Sequence, residues 1–289
     1  GVRELRLIGA HQPAYNRRSR HPHRGWWITF SGERFPRLVV SRTPDDHAVG
    51  PVSGRTEAIE IAEVISRVAR LRTCRARLPA AATHHWCPTP AAGGQLVGAC
   101  AAAADRPQTR TDYAAHVQAA TELFEGRGDA LIDALIGELD RLVAAEMFET
   151  AARHRDRVSA TIECLTRAHR LAALCRLAEL VVARPDGRGG WELAVIRHGR
   201  LASAGVARRG VAPMPVVDAL IATAETVLPG PGPLAGAPAE EAGLLYRWIT
   251  GPGTRIVATS DGFALPARSA AGRADWASTA RAARQAAGR

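Results

Sequence analysis

Residues 137–158 read GELDRLVAAEMFETAARHRDRV. Apolar residues recur at helical spacing, and Leu139, Leu142, Val143, Phe148 and Val158 would make one apolar face. Ala151 and Ala152 are small enough to let a second helix approach closely. The same periodicity extends outward over 110–168. It predicts helices over 111–125, 128–144 and 148–180, with Gly126 and Gly128 as breaks. Cys164 and Cys175 fall in these helical runs and read as ordinary packed cysteines.

The flanks have a different character. Residues 3–12 fit a short amphipathic helix ended by Pro13, and a basic loop follows, AYNRRSRHPHRG. WWITF (26–30) and RLVVSR (37–42) read as strands split by the turn SGERFP, and TPDDHAVGPVSGR (43–55) reads as loop. Residues 56–71 have helical spacing again. Residues 72–108 hold Cys74, Cys87 and Cys100 among Pro and Gly, as a linker or a ligand-stapled loop. Beyond PDGRGG, the stretch WELAVIRHGRLASAGVA (191–207) reads as two strands joined at His-Gly-Arg. A helix over 214–227, a flexible PGPGPLAGAPA, a helix in EEAGLLYRWIT and a strand in TRIVAT come next. The Arg/Ala-rich stretch after 266 reads as a flexible tail.

These segments predict an α+β protein in four parts: 1–48, the Cys-containing linker region 49–108, the helical region 109–180 with its hairpin at about 130–168, and a small α/β region over 181–289. The chain has 289 residues, a formal net charge of +10 and a hydrophobic fraction of 46%, which suits a packed globular protein. All 38 basic side chains are arginine. Planar guanidinium groups suit bidentate phosphate contacts, although a GC-rich coding sequence also enriches Arg and Ala. No apolar run is long enough to span a bilayer and no secretory signal is evident, so a cytoplasmic location is expected. Five scattered cysteines without an export signal do not suggest a disulfide framework. Gly1 in place of Met points to an internal start.

Three motifs carry a resemblance. The core of the opening stretch is Phe148, Glu149, Ala151, Ala152, Arg155 and Asp156, and it resembles the UVR motif shared by UvrB and UvrC proteins. That resemblance implies two antiparallel helices that bind the same motif on a UvrB-like protein, with Arg155 and Asp156 forming charge pairs. A plain αα-hairpin within a core is the alternative. Glu4, Leu7, Ile8, His11, Pro13, Tyr15 and Asn16 resemble the end of the GIY-YIG nuclease domain of UvrC. They imply that Glu4 is the metal-binding carboxylate, for Mg²⁺ or Mn²⁺, and that Asn16 helps to shape the catalytic site. The family's Tyr motifs and catalytic Arg lie before this helix, so this chain by itself is expected to hold half an active site. Finally, Gly50-Pro51 and Leu71-Arg72-Thr73-Cys74 follow the family's order, with Cys87 and Cys100 at two further cysteine positions and Leu96 at the remaining one. Four thiolates at such spacings would suit an iron–sulfur cluster or zinc; three leave one ligand short, a place that His84, His85 or water could fill outside the family pattern. Free thiols in a degenerate region are the other reading.

The chain as a whole resembles the rear half of bacterial proteins that join a DEDD exonuclease domain to a UvrC-like region. The expected function is a component of a DNA-repair endonuclease acting in nucleotide excision repair. The alternatives are a non-catalytic DNA- and UvrB-docking module, or the tail of a 3'-5' DNA exonuclease. Arg17, Arg18, Arg20 and Arg24 are candidate DNA contacts, and Trp26 and Trp27 candidate base-stacking residues, core packing being expected for at least one of them. Trp191–Ala207 weakly resembles the first hairpin of the UvrC ribonuclease-H-like domain. Asp218, Asp261 and Asp275 are too scattered for a second nuclease site.

Overall fold

The structure, a computed structural model, describes residues 25–75, 78–79, 81–85 and 107–287. They form an α+β protein with three small antiparallel sheets. The described residues fall into two compact units. One comprises Gly25–His169 with the segment from Pro266 onward, and the other comprises Arg170–Leu265.

The first unit opens with a sheet of β1 (Trp26–Phe30), β2 (Leu38–Ser41) and β3 (Val49–Val52), in the order β2-β1-β3. Trp27, Ile28 and Thr29 are all buried, because the central strand is covered on both faces. Its register sets Trp27 opposite Ser41 on β2, and Trp26 opposite Val52 on β3. Strand β3 lies in the stretch read as loop. Two of its four residues are Gly50 and Pro51, which hide a strand from a propensity reading. Helix α1 (Arg55–Val68) lays Ala58, Ile61, Ala62 and Ile65 on the sheet side of the core.

A short ribbon of β4 (His84–His85) and β5 (Gln108–Thr109) leads into α2 (Arg110–Glu125). The Thr109 side chain caps that helix by accepting from the Asp112 amide at 3.2 Å. The helix ends at Gly126 with φ 71, where Arg127 N donates to Glu122 O and Gly126 N to Leu123 O. This is a Schellman stop, and it explains why the glycine breaks the periodicity there. Helices α3 (Ala130–Ala144) and α4 (Phe148–Arg176) follow after short turns.

The second unit has one four-stranded antiparallel sheet in the order β8-β7-β6-β9: β6 (Leu180–Pro185), β7 (Trp191–Arg197), β8 (Arg200–Ala207) and β9 (Arg255–Thr259). Residues alternate between its faces. Leu180, Val182, Ala194 and Ile196 pack with Leu245 and Trp248 of α6 (Ala239–Ile249). Val181, Ala183, Leu193 and Val195 pack with Val217 of α5 (Pro213–Ala222). The β7–β8 turn is the predicted His-Gly pair, His198 with φ 47 and Gly199 with φ 73. It has the paired left-handed backbone of a tight hairpin turn.

Three expectations change here. The helix read as running to 180 ends at Arg176, and a strand not foreseen, β6, begins at Leu180, because LAELVV is a short apolar run with no distinguishing period. The Pro/Gly-rich segment is folded, with Leu234 buried and Gly230 N donating to Ala235 O. The segment after 266 is also ordered. A 3-10 turn (Ala270–Arg273) and helix α7 (Ala274–Ala287) bury Ala270, Ala277 and Ala280. Arg and Ala are both strong helix formers, and alanine lets the backbone seat closely. Among the described residues, no helix is long and apolar enough to cross a membrane.

Candidate functional site

Helices α3 and α4 are joined by Ala145, Glu146 and Met147. The turn is a second Schellman stop, with Met147 N donating to Leu142 O and Glu146 N to Val143 O. Glu146 takes the left-handed position, at φ 55, where glycine is the usual occupant. The chain folds back at once. His154 on α4 meets Leu135 and Glu138 on α3, as expected for antiparallel helices.

The motif residues divide sharply by environment. Ala151 is buried and Ala152 half-buried, as close helix approach requires. Phe148 is 64% exposed, Met147 49% and Val143 47%. Phe148 and Val143, read as parts of one apolar face, stand at the tip in solvent. Phe148 is the first residue of α4, next to the turn, where the partner helix has already ended. Only Val158 of that set is fully buried, while Leu139 and Leu142 are half-buried. Arg155 donates through Nε and Nη2 to Oδ1 of its neighbour Asp156, at 3.0 and 2.7 Å. Glu149 is exposed, 3.9 Å from Arg153.

The root of the hairpin is fastened by residues that the motif does not mark. His154 Nε2 lies 2.8 Å from Leu135 O, and Arg67 of α1 donates to His154 Nδ1 at 3.2 Å. The guanidinium has no acceptor capacity, so Nδ1 accepts and the Nε2–H donates to the carbonyl. Arg67 also lies 3.5 Å from Glu138.

A second cluster surrounds Arg72, which is fully buried. Its Nε donates to Phe35 O at 2.6 Å, its Nη1 to Cys74 O at 3.4 Å, and its Nη2 to Glu33. Its backbone amide donates to the Tyr113 hydroxyl at 2.8 Å, which donates in turn to Pro36 O at 2.7 Å. Burial works to raise the Glu33 pKa, but hydrogen bonds from Ser31 and Arg72 and the nearby arginine charges outweigh it and hold Glu33 below the usual carboxylate range. Cys74 Sγ lies 3.2 Å from His85 Nε2 and 3.6 Å from Arg72 Nη1. Burial, and then the Arg72 charge, lower the His85 pKa. His85 also packs at ring distance from Phe35 and Tyr113. Nothing in the sequence pattern marks Arg72 or Tyr113 as buried polar anchors.

Of the sequence-predicted site residues, Glu4, Asn16, Arg17, Arg18, Arg20, Arg24, Cys87 and Cys100 lie outside the described residues. Cys74 and His85 are brought together. His84, the other candidate substitute ligand, is exposed and hydrogen-bonded to Thr83 at 2.9 Å. Among the described residues there is no group of three or more His, Cys, Asp or Glu side chains that could hold a metal ion.

Curated proteins similar to this chain include UvrC proteins. UvrABC system protein C of Methanosarcina acetivorans is 31% identical over 54% of this chain and 29% of its own length. The corresponding protein of Methanosarcina mazei is 30% identical over 54% of the chain and 28% of its own length. The chain contains a UvrC-like region. A Mycobacterium tuberculosis protein named as a putative bifunctional exonuclease/endonuclease is 47% identical over 98% of the chain and 44% of its own length. The chain thus spans less than half the length of the curated relatives it matches. No protein-family profile matches the chain, and no solved structure does.

Proposed function

We propose that this chain is the UvrC-like portion of a DNA-repair nuclease and that its α3–α4 hairpin docks a UvrB-like protein. The observation that carries the reading is the exposed tip. Val143, Met147 and Phe148 are exposed apolar residues within or beside one tight turn, and a large aromatic left in solvent is a usual anchor of a protein interface. The buried Ala151 and the fastening of His154 to Leu135 hold that tip rigid. A rigid tip loses little conformational entropy on binding. The motif string and the UvrC relatives support a helical-hairpin partner.

In this reading the whole protein cleaves phosphodiester bonds in nucleotide excision repair. Glu4 would supply an oxygen ligand to Mg²⁺ or Mn²⁺, and Asn16 would shape the same site. When bound, that cation would stabilise charge on the scissile phosphate. Arg17, Arg18, Arg20 and Arg24 would contact the DNA backbone. Cys74 and His85 would belong to a site for a thiophilic metal with Cys87 and Cys100. One imidazole among thiolates suits zinc at least as well as an iron–sulfur cluster, and the contact at 3.2 Å supports the pairing.

Hydrogen exchange of the chain with and without UvrB tests the docking reading. Slowed exchange is expected from Ala145 through Ala152, with β7 and β8 unchanged. Unchanged exchange at the turn under saturating UvrB contradicts it. A second reading, the tail of an exonuclease, is favoured by the mycobacterial relative, whose name includes that activity. The two readings are compatible in a longer polypeptide.

A further inference from the structure

We infer, on the reading that this chain contacts DNA, that one end of the second unit's sheet is a binding surface for the phosphodiester backbone of a duplex. The surface is carried by Arg188, Arg208, Arg209 and Arg255.

The sheet gathers these residues. Strand β6 ends at Pro185 and β7 begins at Trp191, so the turn between them, with Arg188, lies at this end. Ala207, the last residue of β8, pairs with Trp191, and Arg208 and Arg209 come next. Arg255 opens β9 and pairs with Ala183, close to the end of β6. In the order β8-β7-β6-β9, the strand ends thus deliver arginine along one rim. All four side chains are exposed. Neighbouring strands lie about 4.8 Å apart, so the rim is about 14 Å across. That matches about four nucleotides of one DNA strand, at roughly 3.4 Å of rise each.

Local contacts set the arginines in place. The Asp186 carboxylate accepts from the Arg188 amide at 2.7 Å and from the Gly190 amide at 2.8 Å, which closes the turn. Those backbone bonds hold Asp186 below the usual carboxylate range. A Cβ on Gly189 would fall 3.2 Å from Arg209 Cδ, so the turn and the Arg209 stem lie side by side. The Arg255 Cζ lies 5.2 Å from the ring centroid of Trp191, which packs on the core. Arg184 and Glu192 stand opposite each other in the register, and their charges offset. The four exposed arginines and the Asp186 carboxylate leave a net +3 on the rim.

Chemistry selects the ligand. Each guanidinium presents a planar fork that matches two phosphate oxygens, and an arginine held on a ring face keeps its N–H edges for them. Four forks spread along a rim suit a ligand broader than a single ion. A backbone of evenly spaced phosphates can engage them together, and contact of this kind reads no base. Val211 and Met214, just beyond Arg209, are also exposed. An anionic membrane would use such apolar side chains together with the arginines, whereas a DNA backbone would use the arginines alone.

The test is fluorescence anisotropy of a labelled DNA duplex titrated with the full chain over a range of salt concentrations, beside sedimentation with vesicles of anionic phospholipid. Three double variants are compared with the parent: Arg208→Ala with Arg209→Ala, Arg188→Ala with Arg255→Ala, and Arg34→Ala with Arg284→Ala as a charge-matched control at exposed positions of the first unit. Each rim variant should weaken duplex binding about 10-fold and reduce the salt slope by about 1 to 2. The control should change neither. The two rim pairs lie on different segments, so a folding defect in one, read as a lower melting temperature, leaves the other to decide. Steep binding by the parent that survives both rim variants overturns this surface and leaves the DNA reading intact. Equal loss in rim and control variants also overturns it, since net charge alone would then account for binding. Vesicle binding that is lost in the rim variants while duplex binding is kept marks a membrane surface and overturns it as well. No duplex binding by the parent overturns the DNA reading itself, and this surface with it.

Discussion

Arg72 joins several parts of the first unit. It ties the loop after β1, through Phe35 and Glu33, to Cys74, while its amide holds Tyr113 of α2. Arg72→Ala removes the donors of several buried acceptors and leaves a void. The expected loss is about 3 kcal/mol or more in denaturant unfolding. The Glu33 partner adds a pH dependence. Its folded pKa lies below the ordinary glutamate value of 4.5, so the pair contributes stability above about pH 4.5. That contribution is lost as pH falls through the lower, folded-state pKa. Glu33→Gln should flatten the acid limb of a stability-versus-pH curve, and an unchanged limb would rule out this pair as its source. The thiols make a separate prediction. Burial pushes Cys164 up to about 11 and Cys175 up to about 12, so both should resist alkylation at pH 8 until the chain is unfolded. The half-buried Cys74 should be labelled first of these three, as read by peptide mass spectrometry. Neither the Arg72 centre nor the His154 fastening was legible in the sequence. A buried arginine and a surface arginine look alike until a fold supplies carbonyls for the guanidinium.

At the scale of elements, periodicity was a good guide where helices are long. The predicted 111–125 and 128–144 became Arg110–Glu125 and Ala130–Ala144, and α4 begins at the expected Phe148. It failed at β3 and β6, which are short and lack a clean alternation. The hairpin also shows the limit of reading a face from spacing. Spacing says that Phe148 is an apolar position of a helical run, but not that the facing helix has already ended. The turn offers its own test. Glu146 occupies a left-handed position without the freedom of glycine. Glu146→Gly should raise stability by about 0.5–1 kcal/mol, read as a higher melting temperature. A lower melting temperature would mean that the Glu146 side chain makes a contact worth more than the backbone strain.

Across the whole molecule, net charge and the UvrC-like region point the same way. The chain carries +10, all its basic groups being arginine. Binding that neutralises about four phosphates should weaken roughly 100-fold between 50 and 200 mM salt. A flat salt response in duplex binding would contradict an electrostatic contact. The two units differ in what the sequence exposed of them. Residues of the first carry the more specific motifs, whereas the second unit was legible as strands and helices with one weak family resemblance at Trp191–Ala207, since its alternating faces are core. The central claim is that the α3–α4 hairpin presents a docking tip for a UvrB-like protein. It is tested most directly by calorimetric titration of the full chain with UvrB, comparing the parent with Phe148→Ala. A side chain 64% exposed contributes little to the folded state, so the melting temperature should stay within about a degree or two. Affinity for UvrB should fall at least about 10-fold, as for an interfacial aromatic anchor. Equal affinity for the two proteins would contradict the account.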